Sequence, residues 1–413
     1  MSDLANAHLQ SDQDVAPLLL AAHVLRTDNE ALEAARTLAA SALEHAAKRD
    51  RQRKLPWSHI EAFTRSGLGS ISIPREFGGP QVSFVTLAEV FAIISAADPA
   101  LGQIPQNQVG LLSLIANTAT HTQKEQLFTS VLQGWRIANA GPERGSKNTL
   151  ELKARITAEG DDFIINGQKF YSTGALFAHW IAVKALNDDG KQVIAFVRRG
   201  TPGLRVVDDW SGFGQRTTSS GTVLLNNVQV EAELVVENWR LNDSPNIQGA
   251  VSQLIQAAID LGIARAAITD TISFVRERSR PWVDAKVERN SDDPYVIADI
   301  GKLSIELHAA EVLLRKAGRV LDEVSAAPID APAAARASIA VAEAKVLSTE
   351  LSLLASEKLF ELAGSRASLA EFNLDRHWRN ARVHTLHDPV RWKYYAIGAY
   401  RLNGTLPARH SWI

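Results

Sequence analysis

The chain has 413 residues, enough for two or three domains, and its 46% hydrophobic and 22% charged composition excludes a disordered or low-complexity protein. Lys plus Arg number 44 against 46 Asp plus Glu, a net charge of −2, which leaves no electrostatic footprint for nucleic acid or an anionic membrane. Cys is absent and the one Met is the first residue, which rules out disulfides, zinc–cysteine sites, iron–sulfur clusters and thiol nucleophiles. Beside compositional chance, so little sulfur has two sharper readings: resistance to a nearby oxidant, or a protein made when sulfur is scarce.

The N-terminal stretch is acidic and polar, and Ala16–Leu25 is short and carries His23, so no secretory signal is expected and the cytoplasm is the default compartment. No run reaches the roughly 18 apolar residues of a membrane span. Residues 28 to about 135 read as helical, with Ala31, Ala34, Ala35, Leu38 and Ala42, then Leu87, Val90, Phe91 and Ile94, at helical spacing. Breaks fall at Leu55-Pro56, Pro74–Pro80 and Asp98-Pro99, and the basic cluster Lys48–Lys54 reads as a solvated helix end. Near residue 136 the character changes. Leu152–Ala158, Phe163–Tyr171, Ile181–Leu186, Val193–Val197 and Thr222–Val230 are short β-rich runs separated by Gly and Asp turns, the pattern of a small barrel or sandwich. From about 246 the helical period returns. Leu254, Ala258, Leu261, Ala264, Ile268, Ile272 and Val275 form one stripe ending at Arg280-Pro281. A second helix runs from about 295 to 325, and the Ala-rich Ala333–Leu362 suits a bundle interior. The expected domains are 1–135 (helical), 136–240 (β) and 241–413 (helical bundle).

Several segments, in this order, resemble the acyl-CoA dehydrogenase superfamily: Ser66–Gly79 (SGLGSISIPREFGG), Ile137–Lys147 (IANAGPERGSK), Gly167–Gly174 (GQKFYSTG), Phe360–Arg366 (FELAGSR) and Asp375–Asp388 (DRHWRNARVHTLHD). The resemblance implies a mainly α fold with a central β-barrel domain and a C-terminal four-helix bundle, assembled as a homotetramer (a dimer of dimers) and binding flavin. Dehydrogenation requires a carboxylate base, and both positions where that family keeps its Glu lack one here. One reads Thr385-Leu386-His387-Asp388-Pro389; the other, Gly249–Leu254, has no acid. Instead His384 and His387 stand three apart, on one face of a helix end. With no third ligand at metal-binding spacing, a metal is not expected.

The segments RNARVHTLHDP, Gly167–Trp180 and Asp208–Gly221 resemble the flavin monooxygenase branch of the superfamily, that of the dibenzothiophene monooxygenases and of the sulfur-acquisition oxidoreductases. By that resemblance His387, His384 and Ser172 carry catalysis. Asn139, Ser146, Phe170, Trp210, Arg280, Gly364, Ser365, Arg366 and Asp388 contact flavin, with Arg280 and Gly364–Arg366 reaching the flavin of a neighbouring subunit. Which of residues 170–173 faces the ring is left open, because a one-residue slip reverses the face. Gln103, Gln106, Asn107 and Gln108 approach substrate or form a polar loop around Pro105; amides there suit a sulfone or sulfoxide oxygen better than a bare thioether. The expected activity is a reduced-flavin-dependent monooxygenase that forms a C4a-hydroperoxyflavin and oxygenates a small organosulfur compound. FMN is favoured over FAD, and a separate reductase supplies the flavin, since no nicotinamide fingerprint is present. The alternatives are a dehydrogenase using Asp388 or another base, and a flavin-binding accessory protein without turnover.

Overall fold

The structure is a computed structural model, described for residues 17–148 and 151–413. Six helices come first: α1 (Asp28–Leu43), α2 (Ala46–Gln52), α3 (Trp57–Arg65), α4 (Phe84–Ala97), α5 (Pro99–Thr118) and α6 (His121–Leu132). Strands β1 (Ile137–Ala140), β2 (Arg155–Glu159), β3 (Asp162–Lys169), β4 (Trp180–Leu186), β5 (Gln192–Arg198), β6 (Leu204–Val207), β7 (Thr222–Val230) and β8 (Val235–Val236) follow. Five helices complete the chain: α7 (Gln248–Glu277), α8 (Pro294–Ser325), α9 (Ala331–Ala363), α10 (Asp375–His384) and α11 (Arg391–Asn403).

The strands form one sheet in the order β6-β7-β3-β2-β4-β5-β8, with β1 added in parallel along β4. It curls enough to bring β5 near β7 across the strand core. Local chemistry explains the tightest turn. Glu159 pairs with Asp162 across Gly160-Asp161, and Gly160 takes the left-handed conformation (φ 61°) that this two-residue hairpin requires. Beyond the five β-rich runs of the sequence lie β1, β6 and β8, four, four and two residues long. Runs that short carry too few residues to display a period.

In the helical part, α7 is the central element, packed against α4, α5, α8, α9 and α10. Its expected stripe is buried at Leu254, Ala258, Leu261, Ala264, Ile268 and Val275. A Cβ on Gly262 would lie 2.6 Å from the Ala92 carbonyl oxygen, so glycine sets the close approach of α4 to α7. By length and composition α7 is apolar enough to cross a membrane, contrary to the sequence expectation. Its most apolar window is, however, 83% buried among its neighbours, which accounts for that hydrophobicity.

The basic cluster is not simply a solvated helix end. Lys48, Arg51 and Lys54 are exposed, but Arg49 is buried and bonds Asp98 at 2.8 and 3.0 Å. Arg53 pairs with Asp208 of the β part, and buried Asp50 receives Arg379 and Asn373 of the C-terminal part. The cluster is a junction of all three parts, and its partners lie 49 to 329 residues away.

Candidate active site

Three elements converge. The first is α5, capped by Asp98, whose Oδ1 accepts from the amides of Ala100 and Leu101. Gln103, Gln106 and Asn107 therefore lie on a helix and share a face, not on a loop. Pro105 is tolerated inside it at the loss of one backbone bond. The four amides divide by role. Gln108 accepts from Ile137 N–H at 2.8 Å and donates to the Gly69 carbonyl at 2.7 Å, so it fastens β1 to the helical part. Gln103 reaches His387, and buried Gln106 and partly buried Asn107 flank it along the helix.

The second element is the loop after β3. Tyr171 adopts φ 59° and points outward, 51% exposed, while Phe170 and Ser172 turn inward, 4% and 1% exposed. Gly174 (φ 80°) lets the loop press on α5: a Cβ there would lie 3.0 Å from the Ile104 carbonyl oxygen. Thr173 Oγ1 bonds Ser220 Oγ at 2.7 Å, whereas Ser172 Oγ is buried without a partner. The facing loop holds two more non-glycine residues at positive φ, Gln215 (49°) and Ser219 (48°). Backbone strain gathered on both sides of one cleft is characteristic of functional sites. Gln215 is fully buried, with both side-chain amide atoms unpaired. Phe170, Tyr171 and Trp210 meet edge-on or tilted at 4.8 to 6.4 Å, and the Arg144 guanidinium lies 3.8 Å from the Phe170 centroid.

The third element is the end of α10. His384 is fully buried, with Nδ1 2.5 Å from Asp260 Oδ1; its Nε2 is buried and has no partner. The other Asp260 oxygen receives Lys345 Nζ at 2.6 Å and Thr349 Oγ1 at 2.8 Å. Burial alone would raise the Asp260 carboxyl, but Lys345 and His384 hold it far below the usual range. His387 follows, its ring centroid 4.9 Å from that of His384. Its Nδ1 donates to the His384 carbonyl at 2.5 Å, and Gln103 Nε2 lies 3.2 Å from its Nε2. One edge of His387 is open to solvent. Desolvation of its inner face, then the His384 ring, pushes its pKa down to about 4, so it is neutral at ordinary pH.

Neither carboxylate near this pair is free to act as a base. Asp260 is held as above, and Asp388 Oδ2 lies 2.5 Å from Lys393 Nζ, an ion contact outside hydrogen-bond angles. Asp388 therefore belongs to a buried pair with α11, and Lys393 also donates to the Trp412 carbonyl.

The remaining residues of interest lie elsewhere. Asn139 is on β1, its Oδ1 against Gly141, and Ser146 Oγ donates to the Glu143 carbonyl in the following loop. Arg280 stands three residues past the end of α7, exposed and without an ion pair among the described residues. Gly364, Ser365 and Arg366 follow α9. Ser279 Oγ bonds the Ala363 carbonyl, so Arg280 and this turn share one end of the bundle. From Asp260 to Glu277 is 17 helical residues, about 25 Å, so within one chain this end does not meet His384 and His387. A small cleft lies among Asp50, Asp98, Arg216, Thr217, His377 and Asn380, and neither His384 nor His387 lines it.

Sequence reasoning missed Asp260, Lys345, Thr349 and Gln215. The one available signal was polar residues interrupting the apolar faces of α7 and α9, and it names no partner.

Helices, sheet and helices follow one another along the chain, and buried His384 and solvent-edged His387 stand at the end of α10. The acyl-CoA dehydrogenase models match this chain in order: the N-terminal domain at residues 26–135, the middle domain at 137–228 and the C-terminal domain at 254–392. The chain belongs to the acyl-CoA dehydrogenase family, in its branch of flavin-dependent monooxygenases. It is 32% identical to dibenzothiophene monooxygenase of Rhodococcus erythropolis, covering 92% of this chain and 95% of that protein. It is 29% identical to the probable FMNH2-dependent monooxygenase SfnC of Pseudomonas putida, over 92% of this chain and 96% of that one. Among solved structures it superposes on TdsC of Paenibacillus sp. A11-2, crystallised with FMN and indole. There the TM-score is 0.88 and the identity 29%, with 93% of this chain and 100% of that chain covered.

Proposed function

We propose that the chain is a reduced-flavin-dependent monooxygenase. It places one atom of O2 on a small organosulfur compound (a sulfone, sulfoxide or thioether) and works in the cytoplasm in sulfur acquisition. The observation that carries this reading is the pair His384–His387 where a dehydrogenase needs a free carboxylate, with Asp388 and Asp260 both consumed by buried lysines. The organosulfur and FMNH2-dependent relatives support it, as does a chain nearly free of sulfur.

The residues fit a flavin. Among the described residues Ser172 Oγ, the Gln215 amide and His384 Nε2 are buried polar atoms without partners, and Ser172 and Gln215 adjoin an aromatic wall of Phe170, Tyr171 and Trp210. Such atoms are costly to leave unpaired, and the polar edges of an isoalloxazine would satisfy them. Bound reduced FMN, favoured over FAD and delivered by a separate reductase, supplies the two electrons that activate O2. The protein does the rest. Ser172 donates its hydroxyl proton to the ring edge. His387 and His384 hold and move a proton at Nε2. Gln106 and Asn107 orient the substrate from α5, and the packed loops exclude water. Asn139 and Ser146 hold the flavin from the β1 side, and Asp388 keeps the His387 turn in place through Lys393. Arg280, Gly364, Ser365 and Arg366 complete the site of a neighbouring subunit in a homotetramer, where guanidinium groups meet phosphate.

The test is an anaerobic titration with reduced FMN and FAD, followed by pulses of ¹⁸O2 over a panel of sulfones, sulfoxides and thioethers. One ¹⁸O per product, with the larger yield from FMN, is expected. Bleaching of oxidised flavin by an acyl-CoA would overturn the reading.

A further inference from the structure

We propose that Gln103 is a positioning residue whose side-chain amide turns with the proton on His387, and so sets whether the site offers its substrate a hydrogen-bond acceptor or a donor. This rests on the monooxygenase reading and names the substrate class more closely: compounds whose sulfur already carries oxygen.

The geometry is specific. His387 Nδ1 faces the His384 carbonyl at 2.5 Å, and a carbonyl has no proton to give, so the ring hydrogen sits on Nδ1. His387 Nε2 is then a bare acceptor, and what faces it at 3.2 Å is the Nε2 of Gln103, a donor. The rest of that amide is the anomaly. Gln103 is 4% exposed, and its Oε1 is buried without a partner among the described residues.

A proton taken up from solvent at His387 Nε2 turns that nitrogen into a donor, and two donors cannot share the contact. A half-turn about the last Gln103 torsion, which is close to two-fold, resolves the conflict. Oε1 then accepts from His387, and the NH2 group takes the place of the orphaned carbonyl. The site changes from offering C=O to offering N–H, which recognises an oxygen on sulfur and gives nothing to a bare thioether. Other charged groups around His387 do not replace this switch. Asp260 of α7 is bonded to both Lys345 of α9 and His384, and Asp388 is held by Lys393 of α11. Among the described residues, no other side chain is hydrogen-bonded to His387 Nε2.

Flavin-free protein tests the coupling. Diethyl pyrocarbonate acylates neutral imidazole, and the solvent-open edge of His387 admits it. Its modification, mapped by mass spectrometry between pH 3 and 8, reports the protonation midpoint. Gln103→Glu places a carboxylate that accepts from protonated Nε2 without turning, so the midpoint rises by at least about one pH unit. Modification at pH 4.5, relative to pH 8, is then about three-fold lower than in the wild type. Gln103→Leu, which removes the donor without adding charge, raises the midpoint by about half as much and carries the comparison if the Glu variant does not fold. Equal midpoints in the two variants and the wild type would sink the coupling. With reduced FMN and O2, the Leu variant loses about ten-fold of its preference for a sulfoxide over the matching thioether, the worth of one hydrogen bond to substrate; unchanged preference overturns the substrate assignment. If the wild type oxygenates no sulfur compound, the monooxygenase reading fails by itself, while the modification midpoints still decide the His387–Gln103 coupling.

Discussion

The two ends of the C-terminal bundle are built on opposite plans. At the His384 end, charge is buried and answered within the chain: Asp260 receives His384, Lys345 and Thr349, all deep in the core. At the other end, Arg280 is exposed and Arg366 makes one long contact of 3.4 Å to the Arg278 carbonyl. A buried ion must find its partner inside the fold, because removing it from water costs several kcal/mol. An exposed one need not. The first end is therefore answered largely within the chain, with His384 Nε2 left unpaired among the described residues. The second is finished only by something outside the chain.

The sharpest way to break this contrast is Asp260→Ala. It strands Lys345 and His384 in the core and is expected to cost about 3–5 kcal/mol of stability, read by urea unfolding. Asp260→Leu with Lys345→Met should recover most of that loss. If Asp260→Ala unfolds like the wild type, the ion network is not what holds this end together. His387→Ala leaves Asp260 and Lys345 paired, so its stability should stay near wild type. Its oxygenated product should fall by about 10²–10⁴-fold, the usual range for lost acid–base catalysis, with O2 consumption diverted to hydrogen peroxide. At the open end, Arg280→Ala and Arg366→Ala should each leave stability within about 0.5 kcal/mol. Each should weaken reduced-FMN binding about ten-fold, the worth of one charge-assisted contact, and equilibrium dialysis checks this. Wild-type affinity in both would show that this end serves no flavin.

The smallest expected effect is an absence of change with pH. Because the His387 pKa is depressed to about 4, its neutral form persists as pH falls through the ordinary histidine range. Acylation of His387 by diethyl pyrocarbonate should therefore stay level from about pH 8 to about 5.5 before its acid limb begins, whereas a free imidazole would place that limb near 6.5. The stability sign follows. The unfolded chain takes up the proton first, so the contribution of His387 is present above about 6.5 and is lost as pH falls toward 4. An acid limb near 6.5 in the wild type would mean that His387 is not desolvated as the geometry requires.

Much of this was open to the sequence reader. The α7 stripe from Leu254 to Val275, the run Thr222–Val230 and the turn at Gly160-Asp161 are local patterns, and the fold uses each of them as its period suggests. The histidine pair was visible for the same reason, as residues three apart at a helix end. What failed was the local context of polar residues. Gln103–Gln108 suggested a loop because four polar residues surround a proline, yet tertiary burial holds them in a helix. The Lys48–Lys54 cluster suggested solvent, yet Arg49 and Asp50 are pulled inward by Asp98 and Arg379.

By itself the sequence determined the order of helices and strands, the apolar stripe that α7 buries, and a pair of histidines three apart at a helix end. These depend on spacings of two to four residues, which a single chain displays openly. Only the tertiary structure decided what those histidines are. Asp260 lies 124 residues from His384, and Gln103 lies 284 from His387. No local period encodes such pairings. They follow from the requirement that each buried charge and each turned-in amide find a partner among whatever the packing brings near.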